Sequence, residues 1–166
     1  TKAASASAAG QTFKVGIVNY VDHASLNQIV ESVESRLDEL GKEKGVTFDY
    51  GDYYANAQAD QTNLNQIGAD LVADGVDVIV AVATPTAATM LVAVEDTEIP
   101  VVYSAVTDPA AAGFDTEPNI TGTSDALNTD AIMNLILALN PDIDTIGLLY
   151  DLSQDSATQA IADAKA

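Results

Sequence analysis

The chain has 166 residues, 48% of them hydrophobic, enough for one ordinary core or for one complete lobe and part of another. Asp and Glu number 25 against 6 Lys and Arg, a formal net charge of −19, and no basic residue stands between Lys44 and Lys165. Such a surface repels phosphate, which excludes nucleic acid and an anionic membrane face as partners, and the absence of Cys excludes a disulfide scaffold, a thiolate nucleophile and a Cys-built metal site.

Residues 1–10 are small and polar without periodicity and read as a flexible tether after a processing site, or equally as a cloning remnant. No run of the sequence approaches the length of a membrane span. Phe13 to Tyr20 is a first strand, with Gly16 marking a place where a helix packs close. From Ala24 the apolar residues Leu26, Ile29, Val30, Val33, Leu37 and Leu40 recur at helical spacing, and Gly41 is read as the stop. Val46 to Tyr54 reads as a Tyr-rich strand near the sheet edge. A helix with Leu64, Ile67, Leu71 and Val72 on one face then ends at Gly75.

Two β-branched apolar runs follow, Val78 to Val82 and Pro100 to Val106, each ending in small hydroxyl residues, so each reads as a buried parallel strand that delivers a polar loop at its carboxyl end. Between them Thr84 is placed as N-cap and Pro85 as first residue of a helix reaching about Val94. A short β segment at Asn119–Gly122 completes a doubly wound α/β lobe, residues 11–125, with a parallel sheet of order 2-1-3-4-5. Residues 126–166 repeat the theme once, as helix Thr129–Leu139, strand Thr145–Tyr150 and helix Ser156–Lys165. One strand cannot bury two helices, so this tail is expected to begin a second α/β lobe that is incomplete here.

In such a sheet ligands bind in the crevice beyond the carboxyl ends of the strands. With no Arg or Lys beside the central strands in the sequence, an anionic headgroup would rest on backbone N–H groups at the helix start and on the hydroxyls of Thr84, Thr86 and Ser104. Those hydroxyls could instead merely cap a helix and a turn. Asp108 is a candidate acceptor for an ammonium group, or the head of an Asx turn before Pro109; Asp125, near the lobe crossing, is second in line. Tyr20 is the candidate aromatic cover, whereas Tyr103 alternates with Ser104 and points to the core. Tyr150, with Asp151, Ser153 and Ser156, occupies the corresponding place in the tail. His23 is the single histidine and lacks the partners of a metal site, so neither metal nor cofactor is expected.

The strings NYVDHASL (19–26), NAQADQ (56–61), VAVATPTA (80–87), VVYSAVTDP (101–109), NITGTSD (119–125) and TIGLLYDLSQDS (145–156) together resemble the solute-binding proteins of ABC importers, periplasmic-binding-protein-like in fold, and within them the family linked to tryptophan, tyrosine or phenylalanine uptake. The resemblance runs from about Phe13 to the last residue. It implies a hinged two-lobed binder, secreted or lipid-anchored outside the cytoplasm, that closes on one small ligand such as an aromatic amino acid and presents it to a membrane permease. It departs in length, since a second lobe needs on the order of a hundred further residues. The rival readings are an enzyme and a ligand-sensing domain of a receptor or transcription regulator. Ser104, His23 and Asp108 lack the Gly-rich elbow of a nucleophile, and no phosphate loop or dinucleotide fingerprint follows the first strand, so no enzymatic activity is expected. The apolar helix faces and unpaired strand edges of the tail predict either pairing with a second copy, as a homodimer or by domain swapping, or a poorly ordered tail.

Overall fold

A computed structural model describes residues 10–150 and 155–166; most of the expected N-terminal tether, and Asp151 and Ser153, lie outside the described residues. The order of elements is β1 (Thr12–Asn19), α1 (Ala24–Lys44), β2 (Thr47–Asp49), β3 (Tyr54–Asn56), α2 (Gln61–Asp74), β4 (Val78–Val82), α3 (Thr84–Ala93), β5 (Val101–Val106), β6 (Ile120–Ser124), α4 (Thr129–Leu139) and α5 (Asp155–Lys165). The six strands form one parallel sheet of order β2-β1-β4-β5-β6, with β3 also beside β1. Taking β2 and β3 as two pieces of one edge strand recovers the expected order 2-1-3-4-5.

Alternation along each strand divides the core in two. Val15 and Ile17 of β1 and Val80 and Val82 of β4 face α1, whose Val30 is buried among them. Val18, Ile79, Ala81 and Val101 face the other way, onto Leu64 and Leu71 of α2 and Ala87 and Met90 of α3. Gly16 is required by this packing, because a Cβ there would stand 2.9 Å from Leu71 Cδ1.

Four expectations are corrected. Gly41 does not stop α1: the helix runs on to Lys44, and Gly45 caps it at φ 68° with its N–H on the Gly41 carbonyl. That left-handed conformation costs glycine nothing, which is why the stop falls there. The edge strand Val46–Tyr54 is broken by a 3-10 turn over Gly51–Tyr53, where Gly51 has no side chain to pack into a ladder. Thr84 is not an N-cap. Ala83 holds that position at φ 85°, ψ 153°, with no side-chain cap, and Thr84 and Pro85 are already helical. Finally, Thr145–Tyr150 is not a strand, because among the described residues no strand lies beside it and a strand is held by its neighbour's ladder. The two tail helices do form, and they pack on each other.

Candidate functional site

The carboxyl rim of the sheet is built from the loops after β1, β3, β4 and β5. Parallel register places Asn56, Asn19, Val82 and Ser104 in one row across it. The loop after β1 is tied to its neighbour: Ala57 N–H donates to the Asn19 carbonyl and Ala59 N–H to the Tyr20 carbonyl, at 2.9 and 2.8 Å. Ala83 N–H donates to the Ser104 carbonyl at 2.9 Å, locking the start of α3 to β5.

Backbone strain gathers on this rim. The non-glycine residues with positive φ among the described residues are Gln58, Ala59, Ala83 and Ala105, which follow or end β3, β4 and β5. Ala83 lies in a region that is essentially restricted to glycine, and Ala105 sits in the register shift between Tyr103 and Val106. Alanine gives no sequence signal of such a conformation, so neither position was legible. Helices α1, α2 and α4 open on side-chain caps, from His23, Asp60 and Asn128. Helix α3 opens with none, which leaves its first-turn N–H groups, with their partial positive charge, available at the rim.

The sequence candidates distribute unevenly around this frame. Thr84 is half-buried at the start of α3. Thr86 is fully buried on the α3 side of the sheet, and its hydroxyl has no hydrogen-bond partner among the described residues. Ser104 faces the opposite side, where it lines a groove with Gln28, Ile29, Ser32, Val33, Arg36 and Leu37 of α1. The three hydroxyls therefore do not share one surface, although Thr84 and Ser104 belong to adjacent, hydrogen-bonded segments. Arg36 on that groove also corrects the expectation of no cation beside the central strands. Its guanidinium pairs with Glu39 at 2.9 Å and Glu43 at 3.2 Å, and those two acceptors raise its pKa further.

Asp108 caps the turn that follows it, its Oδ1 accepting from the N–H of Ala111, three residues on, at 2.9 Å. Asp125 is exposed at the end of β6, its N–H bonded to the Val106 carbonyl. Tyr20 is half-buried and packs on the α2–α3 core. Tyr103 packs against Phe114, centroids 5.5 Å apart, as its alternation predicted. Tyr150 is 41% exposed and lies under the ammonium of Lys165, 5.4 Å from the ring centroid. His23 Nδ1 accepts from Ser25 N–H as the α1 cap.

Sequence reasoning missed Asn19, which is wholly buried where β1 ends. Its Nδ2 donates to Asn27 Oδ1 at 3.0 Å, and Asn27 Nδ2 donates to Asp22 Oδ1 at 2.6 Å, a relay that fixes the loop after β1 to α1. Beside it a cavity of about 720 Å³ is lined by Asp22, Asn27, Glu31, Glu34, Tyr54 and Asn56, among others. Among the described residues no group of His, Asp or Glu is arranged to hold a metal ion, and no helix is long and apolar enough to cross a membrane.

Comparison with known proteins places this frame. Residues 14–166 match the family model described as ABC transporter substrate binding protein. The chain is 32% identical over 145 residues to a tyrosine-binding protein of Clostridioides difficile strain R20291, covering 84% of this chain and 41% of that one. It superposes with TM-score 0.78 and 32% identity on an ABC domain from Streptococcus pneumoniae in complex with L-Trp, covering 93% of this chain and 52% of that one. A ligand-free, open substrate binding protein with adhesive properties from Clostridium difficile gives 0.72 and 29%, over 92% and 52%. The chain thus spans about half the length of these relatives. With the parallel sheet, its strand order and its loop-built rim, this similarity makes the chain a member of the ABC transporter substrate binding protein family.

Proposed function

We propose that the chain supplies the first wall of an extracytoplasmic solute-binding protein of an ABC importer, one that captures an aromatic amino acid and hands it unchanged to a permease. The observation that carries this reading is the uncapped start of α3, strained at Ala83 and pinned to β5, at the rim where ligands of such sheets sit. A carboxylate is the headgroup those N–H groups and the Thr84 hydroxyl would receive, with Thr86 behind them and Tyr20 as side-chain cover. Ser104 supplies its carbonyl to hold Ala83, and its hydroxyl belongs to the adjoining groove. Asp108, whose Oδ1 is committed to its turn, and the exposed Asp125 are the carboxylates that follow β5 and β6 and would be offered to an ammonium group. Residues 126–166, with Tyr150, would belong to the opposing lobe; relatives of about twice the length favour that division.

The chain contains no Trp, so L-Trp as ligand is the one indole emitter in a titration. A saturable change in its emission is expected, and Thr84→Ala should weaken binding by about 1–3 kcal/mol, roughly 5- to 150-fold. Ser104→Ala should weaken it less. No saturable response to L-Trp, together with none to L-Tyr by calorimetry, overturns the aromatic amino-acid reading.

A further inference from the structure

Tyr20 stands in a turn that is held from two sides. On one, Ala57 N–H donates to the Asn19 carbonyl and Ala59 N–H to the Tyr20 carbonyl, and both Gln58 and Ala59 adopt φ 56° in the loop that makes this approach. Positive φ is uncommon outside glycine, and it persists where the surroundings over-determine it. On the other side is Asn27, half-buried in the first turn of α1, its own N–H on the His23 carbonyl at 2.9 Å. Its side chain bonds both residues that bracket Tyr20 and Val21. Oδ1 accepts from Asn19 Nδ2 at 3.0 Å, and Nδ2 donates to Asp22 Oδ1 at 2.6 Å.

The order of donors is dictated by chemistry. An ionised carboxylate only accepts, so Asn27 turns its Nδ2 to Asp22 and its Oδ1 to Asn19, and Asn19 in turn must donate through Nδ2. Asn19 Oδ1 is then left wholly buried, with no partner among the described residues. A buried acceptor without a partner lowers stability, and an apolar side chain at the end of β1 would avoid that loss. What Asn19 supplies is therefore position, through its donor. We infer that Asn27 is a positioning residue for ligand capture: by clipping Asn19 and Asp22 it fixes the turn between them, and with it the Tyr20 ring that covers the ligand's aromatic group. Being on a helix, Asn27 gives that turn a rigid anchor. The part played by the ring rests on the aromatic amino-acid reading above, whereas the clip itself does not.

The chain has no Trp, so Tyr20→Trp makes the turn its own reporter. Without ligand, adding Asn27→Ala should shift that emission to the red and raise its quenching by acrylamide, while circular dichroism shows the fold retained. With Tyr20 in place, Asn27→Ala should weaken binding of L-Trp, measured by calorimetry, by about 3- to 10-fold. In a Tyr20→Ala background the same substitution should cost less than about 2-fold, because residues linked through one hydrogen-bonded turn are not additive. Asp22→Asn, which keeps an acceptor for Asn27, should lose less affinity than Asp22→Ala. If Asn27→Ala does not fold, Asp22→Ala releases one end of the turn and carries the same expectations. An unchanged emission from residue 20, or an affinity loss that is equal with and without Tyr20, overturns the inference. If the unsubstituted chain responds to neither L-Trp nor L-Tyr, the ligand reading alone fails, and the emission and quenching of residue 20 decide the clip.

Discussion

Tyr50 shows how a single residue's surroundings set its chemistry. Its ring packs against the α1 side of the core, and its hydroxyl donates to Asp38 Oδ1 at 3.0 Å. Loss of solvent, then that hydrogen bond and the charges of Asp38 and Glu34, push its pKa above the ordinary tyrosine value of 10.0. A folded-state value raised above the unfolded one contributes stability that is fully present below pH 10 and is lost as pH rises through the higher value. In an alkaline titration followed by tyrosinate absorbance, the difference between the wild type and Tyr50→Phe should therefore rise above pH 10; a step at or below it refutes the assignment. At this scale the sequence was informative where side-chain alternation decides, as for Tyr103 against Ser104. It was silent where the backbone decides, because nothing in the letter alanine announces φ 85° at Ala83 or φ 55° at Ala105.

Among the elements, α1 separates propensity from packing. Gly41 lies inside the helix because a Cβ there would come within 2.9 Å of the Val46 carbonyl oxygen, on the chain returning toward β2. Helix propensity alone favours Gly41→Ala by up to about 1 kcal/mol. The contact is with backbone, which cannot swing aside, so overpacking of about 1–3 kcal/mol should prevail and the substitution destabilise. Chemical denaturation of Gly41→Ala checks the sign, and a gain in stability would show that the return chain yields. The two missed strand boundaries have one cause. Tyr-rich or apolar runs read as strands wherever they occur, but a ladder forms only beside a partner: β2 and β3 each find β1, and Thr145–Tyr150 finds none among the described residues. Leu149, fully exposed, records the consequence.

For the whole molecule the dominant quantity is charge. Lys14 reaches the Asp74 carbonyl where β1 begins, and Lys42 and Lys44 end α1, so these cations lie at the edge opposite the rim that carries Asp22, Asp60, Asp108 and Asp125. A net charge of −19 opposes the compact state, and salt screens it over a Debye length of about 10 Å at 0.1 M. The thermal midpoint should therefore rise as NaCl is raised from about 10 mM to 0.3 M; a flat or falling midpoint would mean that the carboxylates are too widely spread to repel. Composition, the two central apolar runs and the spacing of helical stripes determined a doubly wound parallel sheet and a strongly acidic surface, because these follow from hydrophobic periodicity and net charge, which are additive along a chain. Which hydroxyl faces which side and where the backbone is strained were decided in the tertiary structure, since each depends on residues distant in sequence meeting in register.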